Sequence, residues 1–230
     1  MNKTVLLAAA AAFALTAGGA SAAQKPALGA YGHSFPVIHA GKTAKVLYNQ
    51  TSSENGEGID SQNFTSGSFA SADDMGADDF VVPKGATWTI TEVDAPGLYF
   101  NGYGPADSEN VIFWTNDKKA KTPGKAVKKG TFNGLKGTDN SGSFSITLPK
   151  KGMTLTAGTY WVSVVANCSF TAGCGEWGWD ENGKIHGADA QWQNPGGYFG
   201  VCSTWGTIAD CISGAPAGDF AFELLGKSKK

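Results

Sequence analysis

Ser143-Phe144-Ser145-Ile146-Thr147-Leu148 alternates small polar with large apolar residues without a break. In extended chain, successive side chains point to opposite faces, so this run has one greasy face and one wet face. The same period of two recurs on both sides of it. Phe80 and Val82 flank Val81, and Val111, Phe113 and Thr115 alternate with Ile112 and Trp114. Tyr160, Val162 and Val164 alternate with Trp161, Ser163 and Val165, and Phe220, Phe222 and Leu224 alternate with Ala221, Glu223 and Leu225.

Turn chemistry fills the gaps: Pro83-Lys84-Gly85, Pro96-Gly97, Asn101-Gly102, Pro123-Gly124, Asn182-Gly183 and Pro195-Gly196-Gly197. Gly is 32 of 230 residues, about twice the usual share, which favours turns over long helices. The pattern predicts strands at 44–49, 78–82, 87–93, 97–101, 109–116, 125–132, 142–148, 158–167, 174–180, 198–202 and 218–225. The expected fold is an all-β, two-sheet antiparallel sandwich, jelly-roll-like, with long Gly-rich loops. Val46-Leu47-Tyr48 and the run Phe220 to Leu225 are expected to pair as distant first and last strands.

The chain opens with Met1-Asn2-Lys3, an apolar run from Thr4 to Leu15, and Ala20-Ser21-Ala22. That is the build of a signal peptide over 1–23, too short to span a bilayer. The expected address is secreted or periplasmic, with no membrane span. An N-terminal arm (24–43), one sandwich domain (44–226) and a basic tail (227–230) follow.

All four cysteines lie late: Cys168, Cys174, Cys202 and Cys211. An even count in an exported chain reads as two disulfides. Three pairings exist; Cys168–Cys174 and Cys202–Cys211 are favoured because each closes a short loop. The spacing fits no zinc motif.

Charge excludes one class of partner. All 18 basic residues are lysine, and the formal charge is −2, so nothing supplies the guanidinium fork or the positive field of a nucleic-acid binder. Seven acids crowd residues 46–83 (Glu54, Glu57, Asp60, Asp73, Asp74, Asp78, Asp79), and seven lysines crowd 118–136. Both read as solvated loop regions.

An ordered set of motifs adds a resemblance. Ala77-Asp78-Asp79-Phe80-Val81-Val82-Pro83 is followed by Trp88-Thr89-Ile90-Thr91-Glu92-Val93 and Gly97-Leu98-Tyr99-Phe100-Asn101-Gly102. Gly158-Thr159-Tyr160-Trp161-Val162-Ser163-Val164, Trp177-Gly178-Trp179 and Trp192-Gln193-Asn194-Pro195-Gly196-Gly197 come later. Over residues 44–225 the chain resembles an exported bacterial β-sandwich module, found alone or appended to secreted proteins. The resemblance implies a jelly-roll-like sandwich outside the cytoplasm, with no assigned activity and no catalytic residues.

Chemistry is sparse. The three histidines, His33, His39 and His186, read as exposed loop residues, and no serine is marked as a nucleophile. Asp73, Asp74, Asp78 and Asp79 offer hard oxygens for a structural calcium, without an EF-hand pattern. No other cofactor is expected. Glu176, Asp180 and Glu181 are the carboxylates on which a glycosidase reading would rest. The strongest ligand signal is aromatic: Trp177, Trp179, Trp192 and Trp205 lie among Gln191, Gln193 and Asn194. Flat rings stack on pyranose faces, and amides bond hydroxyls. Packing over the sandwich edge is the competing use of these rings.

The expectation is therefore a non-catalytic exported binding or interaction protein, with this segment as its glycan face. An extracellular glycan or a cell-surface protein is the expected partner. A small carboxylate-dependent polysaccharide-active enzyme and a structural or adhesive module are the alternatives.

Overall fold

The computed structural model describes residues 24–39, 44–149 and 151–230; the leader assigned to 1–23 lies outside them. Among the described residues, sixteen strands carry the fold. The first eight are β1 (Gly29–Tyr31), β2 (Lys45–Asn49), β3 (Glu54–Asp60), β4 (Gln62–Phe64), β5 (Met75–Ala95), β6 (Gly97–Phe100), β7 (Ser108–Asp117) and β8 (Thr122–Leu135). Then come β9 (Thr138–Asn140), β10 (Ser143–Thr147), β11 (Met153–Cys168), β12 (Glu176–Asn182), β13 (Gln191–Gln193), β14 (Gly206–Thr207), β15 (Asp219–Phe220) and β16 (Glu223–Lys229). Among the described residues, two 3-10 segments (Gly67–Ala72 and Phe170–Ala172) and one α-helical turn, α1 (Ile208–Cys211), interrupt the β structure. Among the described residues no helix is long and apolar enough to cross a membrane.

The strands form two sheets in a sandwich-like arrangement. The larger runs β14-β13-β5-β11-β7-β8, with β10 and β16 also on β5 and β2 on β16. The smaller joins β1, β3, β12, β6 and β15. Pairing is antiparallel except where β4 lies parallel to the end of β11. The predicted closure of the chain is present: Leu224 faces Tyr48 and Leu225 faces Val46.

Long β5 explains two differences from the sequence reading. The strands expected at 78–82 and 87–93 are halves of one element. Val82 faces Gly158 and Thr87 faces Thr156, so Pro83–Ala86 bulges out opposite Ala157 alone. Pro83-Lys84-Gly85 does turn the chain, with Gly85 at φ +80°, but as a bulge inside the strand. The strand expected at 198–202 is absent, and β13 at 191–193 takes its place on the sheet.

Two boundaries also move. The N-terminal arm is partly sheet, because Gly29–Tyr31 pairs with β3. The expected basic tail is strand too: Lys227, Ser228 and Lys229 face Thr89, Trp88 and Thr87. Lysines suit that position, since charge on an exposed edge discourages pairing with another chain.

The inner faces of both sheets meet in one core. Phe80, Ile90, Val93, Phe113, Phe144, Ile146, Val162, Val164, Phe220, Phe222 and Leu224 are fully buried there. At about 25 cal/mol per Å2 of apolar surface, each such side chain contributes roughly 1.5–3 kcal/mol. Both favoured disulfides are formed, Cys168–Cys174 with Cα atoms 5.8 Å apart and Cys202–Cys211 with Cα atoms 5.5 Å apart.

Charge is distributed differently from the sequence expectation. The lysines of 118–136 are exposed, but β8 carries several of them. The acidic stretch is not a solvated loop. It contains β3, β4 and the start of β5, and Asp60, Asp74, Asp78 and Asp79 are buried.

Candidate functional site

The tryptophans expected to bind a glycan lie inside. Trp177, Trp179 and Trp192 have no exposed surface, and Gln191 and Asn194 are buried beside them. Trp177 and Trp179 share one face of β12, as the period of two requires, but that face is the core face. Trp177 stacks on Phe144 with ring centroids 4.8 Å apart, and Trp179 on Phe220 at 4.5 Å. Their indole N–H groups donate to the carbonyls of Gly142 and Ala221, at 2.6 and 2.7 Å, and Trp192 donates to Asp60 O at 2.8 Å. With no face and no N–H left over, these three rings have nothing to offer a sugar. Half-buried Trp205 packs edge-on against Trp114. The amide of Asn194 donates to Ser71 O and Asp73 O. Gln193 faces Met75 across the β13–β5 ladder. Trp177, Trp179 and Trp192 close the sandwich, while Trp205 and Gln191 border a depression of about 480 Å3 with Lys121, Asp189 and Asp210.

The calcium candidates do not converge either. Asp73 accepts from the Phe64 N–H and Asp74 from the Gln62 N–H, at 2.7 and 2.9 Å. Asp78 accepts from Gln50 Nε2 and the Phe220 N–H, and Asp79 from the Ala188 N–H. Asp73 and Asp74 satisfy backbone donors of β4, while Asp78 and Asp79 satisfy donors elsewhere in the fold. Asp74 instead lies next to Asp60, and burial, with repulsion from neighbouring carboxylates, holds both well above the usual carboxylate range.

Glu176, Asp180 and Glu181 are buried as well. The N-terminal arm extends the smaller sheet along the edge of β3, and residues on either side of its strand bond to two of the three. Ala27 N–H donates to Glu176 Oε1 at 2.6 Å, Asn101 donates to its Oε2, and Ser34 donates to Asp180 Oδ2 at 2.7 Å. Glu181 accepts from Asn55. Burial pushes Glu176 and Glu181 up to about 7.

The arm then reaches the larger sheet, where it makes the arrangement that sequence reasoning missed. Val93 and Ala95 point into the core, so Glu92 and Asp94 share the opposite face of β5. Ser145 of β10 sits across from Asp94 on one side and Glu223 of β16 on the other. The arm lays His39 over these groups: its Nδ1 is 2.6 Å from Glu92 Oε1, and its Nε2 is 3.7 Å from Asp94 Oδ2. Ser145 Oγ donates to Glu92 Oε1 at 2.9 Å. Asp94 is pushed up to about 7, first by burial and then by the charges of Glu92 and Glu223, while His39 opposes the shift. Its Oδ1 is buried without a hydrogen-bond partner among the described residues. His39, Asp94, Glu54 and Glu223 border a cavity of about 350 Å3 beneath the arm.

A second depression, of about 380 Å3, lies between the arm and β6. Tyr31, Phe35 and Tyr103 line it, and they are 75, 54 and 95 % exposed. His33 and Ser141 contribute polar groups at its wall, and Tyr99 forms part of its lining. Tyr99 is held rigidly: its hydroxyl donates to Asp139 and accepts from the Ala106 N–H, both at 2.7 Å. A smaller cavity of about 200 Å3, with His33, Glu54, Asn55 and Asp180 on its wall, follows the arm between the two.

Of the histidines, His33 and His186 are exposed as expected. His39 is tied to β5, and the His186 N–H donates to the buried carboxylate of Asp219. The strand alternation already placed Glu92 and Asp94 on one face; nothing in the sequence said that His39 would cross them.

Comparisons of the chain with protein-family models, with curated proteins and with solved structures found no match.

Proposed function

We propose that this protein is an exported, non-catalytic binding module whose ligand is a glycan held in the depression between the arm and β6. The carrying observation is that Tyr31, Phe35 and Tyr103, three of the most exposed large apolar side chains among the described residues, border the same 380 Å3 depression. Exposed aromatic surface gathered in one place is costly in water and marks a binding site more often than scattered single residues do. Ring faces suit the apolar faces of sugars, while the phenol hydroxyls, Ser141 Oγ and His33 can bond to sugar hydroxyls. The leader at 1–23 and the two disulfides support the exported address.

This reading keeps the glycan of the sequence analysis and moves its site. Trp177, Trp179 and Trp192 are structural, and tyrosine and phenylalanine take over the stacking role. Both oxygens of Glu176 are committed to donors, and Asp180 and Glu181 each have one oxygen bonded, to Ser34 and Asn55, which supports binding over hydrolysis.

The test is titration of the mature chain against a panel of soluble oligosaccharides, followed by Tyr103→Ala and Phe35→Ala. Each lost stacking contact is expected to weaken binding about tenfold, with no change in the thermal midpoint. No binding across the panel, or unchanged affinity in both variants, overturns the reading.

A further inference from the structure

We propose that His39 and Asp94 form a divalent transition-metal site, with Glu92 orienting the imidazole and Glu223 and Glu54 completing the polar wall. The site lies in the 350 Å3 cavity beneath the arm and does not rest on the glycan reading.

The geometry of the ring carries the argument. Nδ1 lies 2.6 Å from Glu92 Oε1, a short charge-assisted hydrogen bond in which the ring N–H donates. Ser145 Oγ donates to the same Glu92 oxygen, which fixes the carboxylate in turn. In a neutral imidazole this bond sets the tautomer: the proton sits on Nδ1 and the lone pair on Nε2. Nε2 then points at Asp94 Oδ2 from 3.7 Å, too far for a hydrogen bond. In that neutral form the Nε2 lone pair and the Asp94 oxygen face one another across a gap that a cation fits; an imidazolium would put its own N–H there, and a bound metal takes the place of that proton. Two ligands of one ion, each at about 2.1 Å and at a tetrahedral angle, stand roughly 3.4 Å apart. A shift of a few tenths of an ångström brings this pair into register.

A second observation points the same way. Asp94 is 2 % exposed and lines the cavity, and its Oδ1 has no hydrogen-bond partner among the described residues. A buried carboxylate oxygen left without a donor carries a desolvation cost that a bound cation would offset. Among the described residues, His39, Glu92 and Asp94 are the one set of three or more His, Cys, Asp or Glu side chains whose ligand atoms all lie within 4.8 Å of one another. The carboxylate–histidine–metal chain formed by Glu92, His39 and the cavity is the arrangement that fixes ring orientation and raises ligand basicity in metal proteins. One imidazole with carboxylates suits zinc or another first-row divalent ion, whereas calcium prefers six to eight oxygens. The site also gives the arm a purpose, because an ion there would pin it across the larger sheet.

The experiment uses the mature chain, stripped with a chelator and dialysed. Isothermal titration with zinc, manganese and calcium salts, each alone, measures stoichiometry and affinity. One equivalent of zinc is expected, bound more tightly than calcium. Asp94→Asn is expected to weaken zinc about 100-fold, and Glu92→Gln about 10–100-fold. His39→Gln lies on the arm outside the core, so it gives the same reading should Asp94→Asn fail to fold. Cobalt substitution adds a spectroscopic signature: visible d–d absorption in the parent chain that vanishes in His39→Gln. Less than one equivalent of zinc, calcium bound more tightly than zinc, or unchanged affinity in both Asp94→Asn and His39→Gln overturns the proposal.

Discussion

Trp179 lies on Phe220 with ring planes 11° apart and centroids 4.5 Å apart, and this contact joins β12 of the smaller sheet to β15 at the core. Trp179 has no exposed surface, and its N–H is bonded to Ala221 O. Trp179→Ala removes the stack, opens a cavity and orphans a buried carbonyl. We expect a loss of about 3–5 kcal/mol, read as a fall in the urea midpoint. Tyr103→Ala, at a 95 % exposed position, is expected to change stability by less than about 0.5 kcal/mol. The pair separates structural aromatics from those free to bind.

The buried acids predict an inverted pH profile. Burial raises Glu176 and Glu181 to about 7 and Asp219 to about 6, and it holds Asp60, Asp74 and Asp78 well above the usual carboxylate range. In the unfolded chain these groups titrate near 4. Between that value and the raised one, the folded state binds more protons than the unfolded state, so stability falls as pH rises. The contribution is complete below about pH 4 and is lost as pH climbs through about 7. If each of the two glutamates contributes ~1 kcal/mol, the thermal midpoint should be higher at pH 5 than at pH 8 by roughly 2–4 °C per group. Differential scanning calorimetry across that range checks it; a midpoint rising from pH 5 to pH 8 contradicts it.

Glu176 isolates the effect. Its two oxygens accept from Ala27 N–H and Asn101 Nδ2. In Glu176→Gln the amide oxygen can keep the Ala27 bond, while Asn101 turns its side chain to accept from the new NH2. The charge disappears and both bonds survive. At pH 8 the variant is expected to be as stable as the parent chain or up to about 1 kcal/mol more stable. Its midpoint should also vary less between pH 5 and pH 8.

Sequence periodicity made the sandwich legible wherever a strand has one wet face. Phe144, Ile146, Val162, Val164, Phe220 and Phe222 all point inward as the alternation requires. It failed where both faces are covered. β3 reads Glu-Asn-Gly-Glu-Gly-Ile-Asp and carries no greasy stripe, because it is held between β1 and β12 by backbone pairing and close packing. A Cβ on Gly58 would lie 2.9 Å from Leu98, and one on Gly178 would lie 2.7 Å from the backbone of Gly58. Glycine is needed there for approach, not for a turn. The same burial turned the Trp177-Gly178-Trp179 motif from a ligand face into core. Local alternation states which residues share a face; it does not state which face another segment will cover. His39 beside Glu92 and Asp94 is the same problem at the site, since strand spacing pairs the acids but only the tertiary path of the arm supplies the histidine.

The two short disulfides should each be worth about 2–3 kcal/mol through loop closure in the unfolded chain. Cys202→Ser with Cys211→Ser removes the bond beneath α1, where Ile208 and Cys211 are buried beside Trp192. That double variant is expected to lower the urea midpoint while the β-sheet signature in far-ultraviolet circular dichroism persists.

The C-terminal strand gives the last prediction. Lys227, Ser228 and Lys229 continue β16 along Thr89, Trp88 and Thr87 of β5, whose other edge at these residues is held by Thr154, Leu155 and Thr156 of β11. Deleting residues 227–230 therefore uncovers one side of β5 next to Trp88, which is 5 % exposed and stacks near Phe80. The ladder bonds lost are each worth about 1 kcal/mol net, so we expect a deficit of roughly 2–3 kcal/mol. A second effect separates strand from tail. The exposed segment Thr87-Trp88-Thr89-Ile90 is β-prone and uncharged, and without the lysine-bearing strand beside it, it becomes a template for another chain. The truncated protein should associate at concentrations where the full chain stays monodisperse by light scattering. A truncation that leaves both the urea midpoint and the scattering unchanged would mean that these four residues act as a solvated tail, as their composition alone suggests.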